Sequence, residues 1–173
     1  MAVLDCTKTD QFPPVIAEAV KLAVEATLAS ILGETPGLVG ETGPSGACDA
    51  IVATLAYVGD VNWQLTLVLP RETAPALAKQ SAGFDIDYEG PDMGDVVGEL
   101  LNVLGGDVTA KLDHKRIKAQ MSLPNVARGH DIEVLLADGA PAVQLAYRAA
   151  QGPFWLRLAA AKPSHHPCRR PGT

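Results

Sequence analysis

The stretch DMGDVVGELLNVLGG, from Asp92 to Gly106, demands a helix buried along one side. Wound at about 100° per residue, it gathers Met93, Val96, Val97, Leu100, Leu101, Val103 and Leu104 on one continuous arc. An apolar arc of that width is stable only against a second apolar surface. The opposite side carries Asp95, Glu99 and Asn102 within a sector of about 60°, because steps of three and four residues return to one face. Gly94, Gly98 and Gly105 line the flank, although each interior glycine costs a helix about 1 kcal/mol relative to alanine. Two arrangements would offset that cost. The glycines can form a smooth shelf on which another protein approaches the helix backbone and brings its reactive centre to Glu99 and Asn102. Alternatively, they allow close packing against another part of the same chain.

The surface against which the helix packs is legible elsewhere. Cys48 to Tyr57 and Trp63 to Leu69 are apolar or β-branched runs joined by Val58-Gly59-Asp60-Val61-Asn62, which predicts an antiparallel hairpin. Ile117 to Leu123, ended by Pro124, and Asp131 to Leu136, Ala142 to Tyr147 and Phe154 to Ala160 read as further strands, with Gly139 and Gly152 at turns. Val15 to Leu32 repeats its apolar residues at three- and four-residue steps, predicting an amphipathic helix that starts at Pro13-Pro14 and ends at Gly33. Gly33 to Gly46 is loop chemistry. Arg71 to Gln80 reads as a short helix with Thr73 as its N-cap, followed by an acidic connector from Asp85 to Pro91. The result is an α/β chain with one domain over residues 1–161 and a Pro-, His- and Arg-rich tail over 162–173 that has almost nothing to bury.

Bulk properties exclude several classes of function. A net charge of −6 argues against a nucleic-acid partner, since phosphate backbones are held by clustered Lys and Arg. The short basic run Lys111, Lys115, Arg116 and Lys118 reads as a solvated turn or edge strand. No apolar stretch approaches a membrane span and no signal peptide is evident. Three widely spaced cysteines, Cys6, Cys48 and Cys168, make no disulfide framework, so a cytoplasmic location is expected. His165, His166 and Cys168 lack a fourth ligand, and Asp85, Asp87, Glu89 and Asp92 lack the turn glycine and closing Glu of a calcium loop, so no metal site is assigned. Trp63 and Trp155 fall in strands and read as core or interface residues.

An exposed Glu and Asn one turn apart can do specific chemistry. The Asn side chain has an acceptor and a donor and holds a water molecule without titrating. Phosphoryl transfer asks mainly for such positioning and for charge stabilisation. Glu99, facing water, suits ion pairing with a cation on a partner.

These residues carry a resemblance. Asp95, Glu99, Asn102 and Gly106 match the motif of the phosphatase helix in the CheC/CheX/FliY chemotaxis phosphatases: an acidic or Ser residue four before Glu, Asn three after it, then Gly. Ser122-Leu123-Pro124-Asn125-Val126 with Gly129 is similar to the stretch that follows this helix in CheX relatives, and the likeness spans roughly Asp49 to Gly129. The first helix has no second motif, since Glu18 is followed by Lys21 and Glu25 by Leu28, which points to the single-site CheX branch. The resemblance implies a two-layer fold, mainly antiparallel sheet packed against long helices. It implies hydrolysis of the aspartyl-phosphate of a CheY-like receiver domain, with Asn102 orienting the attacking water, Glu99 docking to the receiver lysine, and Asp95, Gly94 and Gly98 on the partner-facing surface. It further implies no cofactor of the chain's own, Mg2+ in the receiver's active site, and a homodimer. The alternatives are a non-catalytic adaptor that binds a receiver or other signalling protein, and a structural dimerisation module.

Overall fold

The strands Cys48–Gly59 (β2) and Trp63–Pro70 (β3) form the expected antiparallel hairpin, pairing Ile51 with Leu69 and Tyr57 with Trp63. The computed structural model describes residues 11–41, 47–134 and 140–161. The expected tail with His165, His166 and Cys168 lies outside them, as do Cys6 and Gly139. Among the described residues the sheet has seven strands, completed by Gly37–Gly40 (β1), Ala119–Met121 (β4), Asn125–Ile132 (β5), Ala142–Ala149 (β6) and Gly152–Ala160 (β7). The order is β1-β6-β7-β3-β2-β4, with β5 also pairing β2, and all pairings are antiparallel.

Alternation along the strands sends one set of side chains to the helices. Ile51, Ala53, Leu55 and Tyr57 on β2, Leu65, Leu67 and Leu69 on β3, and Phe154, Leu156 and Leu158 on β7 are buried in one cluster with the helices. Each Leu, Ile or Phe among them removed from water contributes about 1.5–3 kcal/mol. Trp63 is buried as expected and stacks on Tyr57 at a centroid distance of 4.1 Å. On the opposite face of the sheet, the Thr54 and Thr66 hydroxyls share a hydrogen bond of 3.0 Å.

The first helix runs as Pro14–Ala23 (α1), a π-helical turn Val24–Leu28, and Ala29–Leu32 (α2), closed by Gly33 at φ 76°. The π-turn does not disturb the apolar pattern, because Val24 and Leu28 at its two ends are both buried. Thr27, within that turn, donates a 2.8 Å hydrogen bond to Asp107 on the helix opposite. The next helix is Ala74–Ala82 (α3), and the fourth, Asp92–His114 (α4), is the longest of the described elements.

Several expectations are corrected. Thr73 occupies the N-cap position as expected but makes no side-chain capping bond; its hydroxyl donates instead to the Pro153 carbonyl at 2.9 Å, tying α3 to the start of β7. The loop from Gly33 contains β1, and the acidic connector buries Ile86 and Tyr88. The helix from Asp92 continues beyond Gly106 because Val108 and Leu112 extend its apolar face, so Lys111 is helical and pairs with Asp107 at 3.3 Å rather than lying in a turn. Val103, expected in the core, is 44% exposed, because it sits at the edge of the apolar arc. The strand expected from Asp131 to Leu136 is instead β5, which begins just after Pro124; residues 135 and 136 lie outside the described ones. Its sequence is polar because β5 is an edge strand with a mostly exposed surface.

The glycines of α4 separate sharply. A Cβ on Gly105 would lie 2.7 Å from Leu55 Cδ2, 3.1 Å from Met121 Sδ and 3.3 Å from the Tyr57 hydroxyl, whereas one on Gly94 meets nothing within 4 Å. Gly105→Val is therefore expected to destabilise the protein by about 1–3 kcal/mol through overpacking. Gly94→Ala is expected to stabilise it by about 0.5–1 kcal/mol. Urea denaturation of both variants checks the pair, and equal effects would contradict the packing.

Candidate functional site

The polar row of α4 stands where the winding of the sequence places it. Asp95 and Glu99 are exposed and Asn102 is half-buried, while Leu100 and Leu101 between them are buried against the sheet. The helix's side-chain bonds are made one turn further on, at Asp107, Thr109 and Lys111. Among the described residues, none engages the carboxylate of Glu99 or the amide of Asn102. Both groups are available to a partner from a helix that is itself fixed.

The flank glycines show how it is fixed. Gly105 lies against Leu55, Tyr57 and Met121, and Gly98 against Val126, whose Cγ2 would stand 3.3 Å from an added Cβ. The strand edge formed by β4 and β5 thus lies closely along α4. The Gly105 carbonyl accepts hydrogen bonds from the Tyr57 hydroxyl at 3.0 Å and the Thr109 hydroxyl at 2.9 Å. Burial pushes the Tyr57 phenol above its ordinary pKa, so it remains a neutral donor. Close packing within the chain accounts for Gly105 and reaches Gly98 through one side chain, whereas Gly94 is open.

Arg128 on β5 is the residue that sequence reasoning missed. Its guanidinium donates to the carbonyls of Tyr88, Glu89 and Gly90, at 2.9 Å to Glu89 and 3.1 Å to Gly90. These carbonyls belong to the turn that leads into α4. Arg128 also faces the Glu89 carboxylate at 3.6 Å, and Arg71, paired with the same carboxylate, lies 4.5 Å over the Tyr88 ring. One planar fork of donors therefore closes three acceptors at once. No local pattern signals this role, because the partners are backbone groups about forty residues away. At the far end of β5, His130 pairs with Asp49 at 2.8 Å, an exposed contact that raises the imidazole pKa and lowers that of the carboxyl.

Among the described residues no cluster of three or more His, Cys, Asp or Glu side chains is placed to hold a metal, and no helix is long and apolar enough to cross a membrane. Arg128→Met keeps the side-chain stem but removes the clamp. We expect a loss of about 1–3 kcal/mol in denaturant unfolding and faster amide exchange from Tyr88 to Asp95. Unchanged exchange over that turn would show that Arg128 does not hold α4.

Comparison with known proteins is consistent with this geometry. Residues 51–148, more than half of the chain, match the family model described as "Chemotaxis phosphatase CheX". No protein in the curated set matches. The chain is similar in structure to the chemotaxis protein CheX of Desulfovibrio desulfuricans, with 21% identity, 84% of this chain and 99% of that chain covered, and a TM-score of 0.74. A CheC-like superfamily protein from Shewanella sp. PV-4 gives 14% identity, coverage of 87% and 100%, and a TM-score of 0.73. A chain of the CheX–CheY–BeF3–Mg2+ complex from Borrelia burgdorferi gives 17% identity, coverage of 85% and 98%, and a TM-score of 0.67. At these identities the structural matches carry the fold alone, and they share the two-layer architecture of antiparallel sheet and helices. With a family match across β2 to β6 and the Glu99 and Asn102 row on α4, the chain belongs to the CheX family of the CheC/CheX/FliY chemotaxis phosphatase superfamily.

Proposed function

We propose that this protein hydrolyses the aspartyl-phosphate of a CheY-like receiver domain, using Asn102 and Glu99. The observation that carries this reading is the pair itself. A carboxylate and a carboxamide, one turn apart, project from a helix anchored along its flank, with neither group bonded to another side chain among the described residues. Membership of the CheX family supports the same reading, as does a solved relative that is complexed with CheY.

The chemistry requires little of the protein beyond position. The Asn102 carbonyl accepts a hydrogen bond from a water molecule and aims its lone pair at phosphorus, opposite the scissile bond between phosphorus and the aspartyl oxygen. The P–O bond to water forms as the bond to the aspartyl oxygen breaks. The receiver recovers its carboxylate and inorganic phosphate leaves, with the water's protons passing to phosphate or solvent. Glu99 pairs with the receiver lysine and fixes the approach of the two proteins. Mg2+ belongs to the receiver, where it offsets charge on the phosphoryl oxygens. A water held in line by one well-placed side chain is worth about a hundredfold in rate.

Asn102→Ala is accordingly expected to lower the rate constant for loss of phosphate from a saturated receiver by about a hundredfold. Its unfolding midpoint should stay near that of the wild type, because the side chain is half in solvent. Glu99→Ala is expected chiefly to raise the receiver concentration needed for half-maximal rate. Phosphate release from a phosphorylated receiver of the same organism measures both. Full activity in Asn102→Ala would remove the assignment, and receiver binding without any acceleration by the wild type would favour the adaptor.

A further inference from the structure

We infer that the segment from Ser122 to Val126 is a second docking element for the receiver, with Leu123 and Val126 supplying apolar contacts beside Asn102. This rests on the phosphatase reading above and extends it to residues outside the helix motif.

The placement follows from two contacts. Met121 lies against Gly105 and Val126 against Gly98, positions two helical turns apart on α4. The five-residue run that joins these contacts therefore spans the turn that carries Asn102. Leu123, within that run, is 80% exposed, the highest value for a large apolar side chain among the described residues. Val126 is 36% exposed although it touches the helix, and Val103, next to Asn102 on its other side, is 44% exposed. Apolar side chains thus flank the acidic and amide row on both sides.

The segment is also rigid enough to serve as a contact surface. Ser122 donates its backbone N–H to the Ala56 carbonyl at 2.8 Å, and its hydroxyl oxygen accepts from the Ala56 N–H at 3.0 Å. The same hydroxyl donates to the Leu123 carbonyl at 2.9 Å, and Pro124 fixes the backbone immediately afterwards. The backbone that carries Leu123 therefore loses little conformational freedom on binding. The occupant is set by continuity and charge. Asp92, Asp95 and Glu99 present acidic groups that are in no ion pair among the described residues, so the partner must bring a cation to the centre and apolar surface to the rim. A receiver that offers its active-site lysine to Glu99 brings its neighbouring surface over Leu123 and Val126.

Leu123→Asp tests this, with Val39→Asp on β1, at the opposite edge of the sheet, as a control that is equally free to remain folded. Initial rates of receiver dephosphorylation are measured against receiver concentration for the wild type and both variants. The proposal expects KM to rise about tenfold in Leu123→Asp with kcat within about twofold of the wild type, and no change in Val39→Asp. A wild-type KM in Leu123→Asp, with the wild-type protein active, overturns the docking element and leaves the phosphatase reading intact. Equal KM increases in both variants overturn it too, since the effect would then be one of general charge. A wild type that dephosphorylates no receiver removes the phosphatase reading and this element with it.

Discussion

The close approach of α4 to the edge of the sheet governs the rest of this structure. It depends above all on Gly105, whose missing side chain lets Leu55, Met121 and Tyr57 lie against the helix backbone, and Gly98 lets Val126 approach in the same way. Two hydrogen bonds into the Gly105 carbonyl and the packing around it offset the helical cost of glycine. The Arg128 clamp on the preceding turn holds the other end. The helix is therefore fixed at its start, near its middle and at the flank between.

That rigidity has a direct functional meaning. A water-orienting amide contributes to rate only if its position is set before the partner arrives, since tolerances in such sites are about 0.5 Å. Among the described residues nothing bonds to the side chains of Asn102 and Glu99, so their placement derives from the backbone that carries them. The same contacts that fix the helix also bring the segment from Ser122 to Val126 alongside the row. The proposed site thus combines one helix face with one strand edge, although Asp95, Glu99 and Asn102 all lie on the helix.

Much of this was legible in the sequence, and the reasons are physical. The hairpin, the first helix, the last two strands and the polar row all follow from side-chain periodicity, which local geometry imposes directly. Periodicity failed where long-range contact decides. β5 was displaced because an exposed edge strand has no apolar alternation, and β1 was missed because four residues rich in glycine read as loop. Val103 was assigned to the core because it sits at the margin of the arc, where winding alone does not separate buried from exposed. The two accounts of the glycines could be distinguished only by their neighbours, which come from elements up to fifty residues away. Arg128 was illegible for the same reason.

The central claim is that this chain turns over phosphorylated receivers rather than merely binding them. The most direct measurement follows inorganic phosphate released from a CheY-like receiver held phosphorylated at many times the concentration of this protein, with Mg2+ present. The account predicts continuous release at a rate proportional to the amount of protein added, with many receivers dephosphorylated per copy. Release at the receiver's own spontaneous rate, whatever the amount of protein, would contradict it.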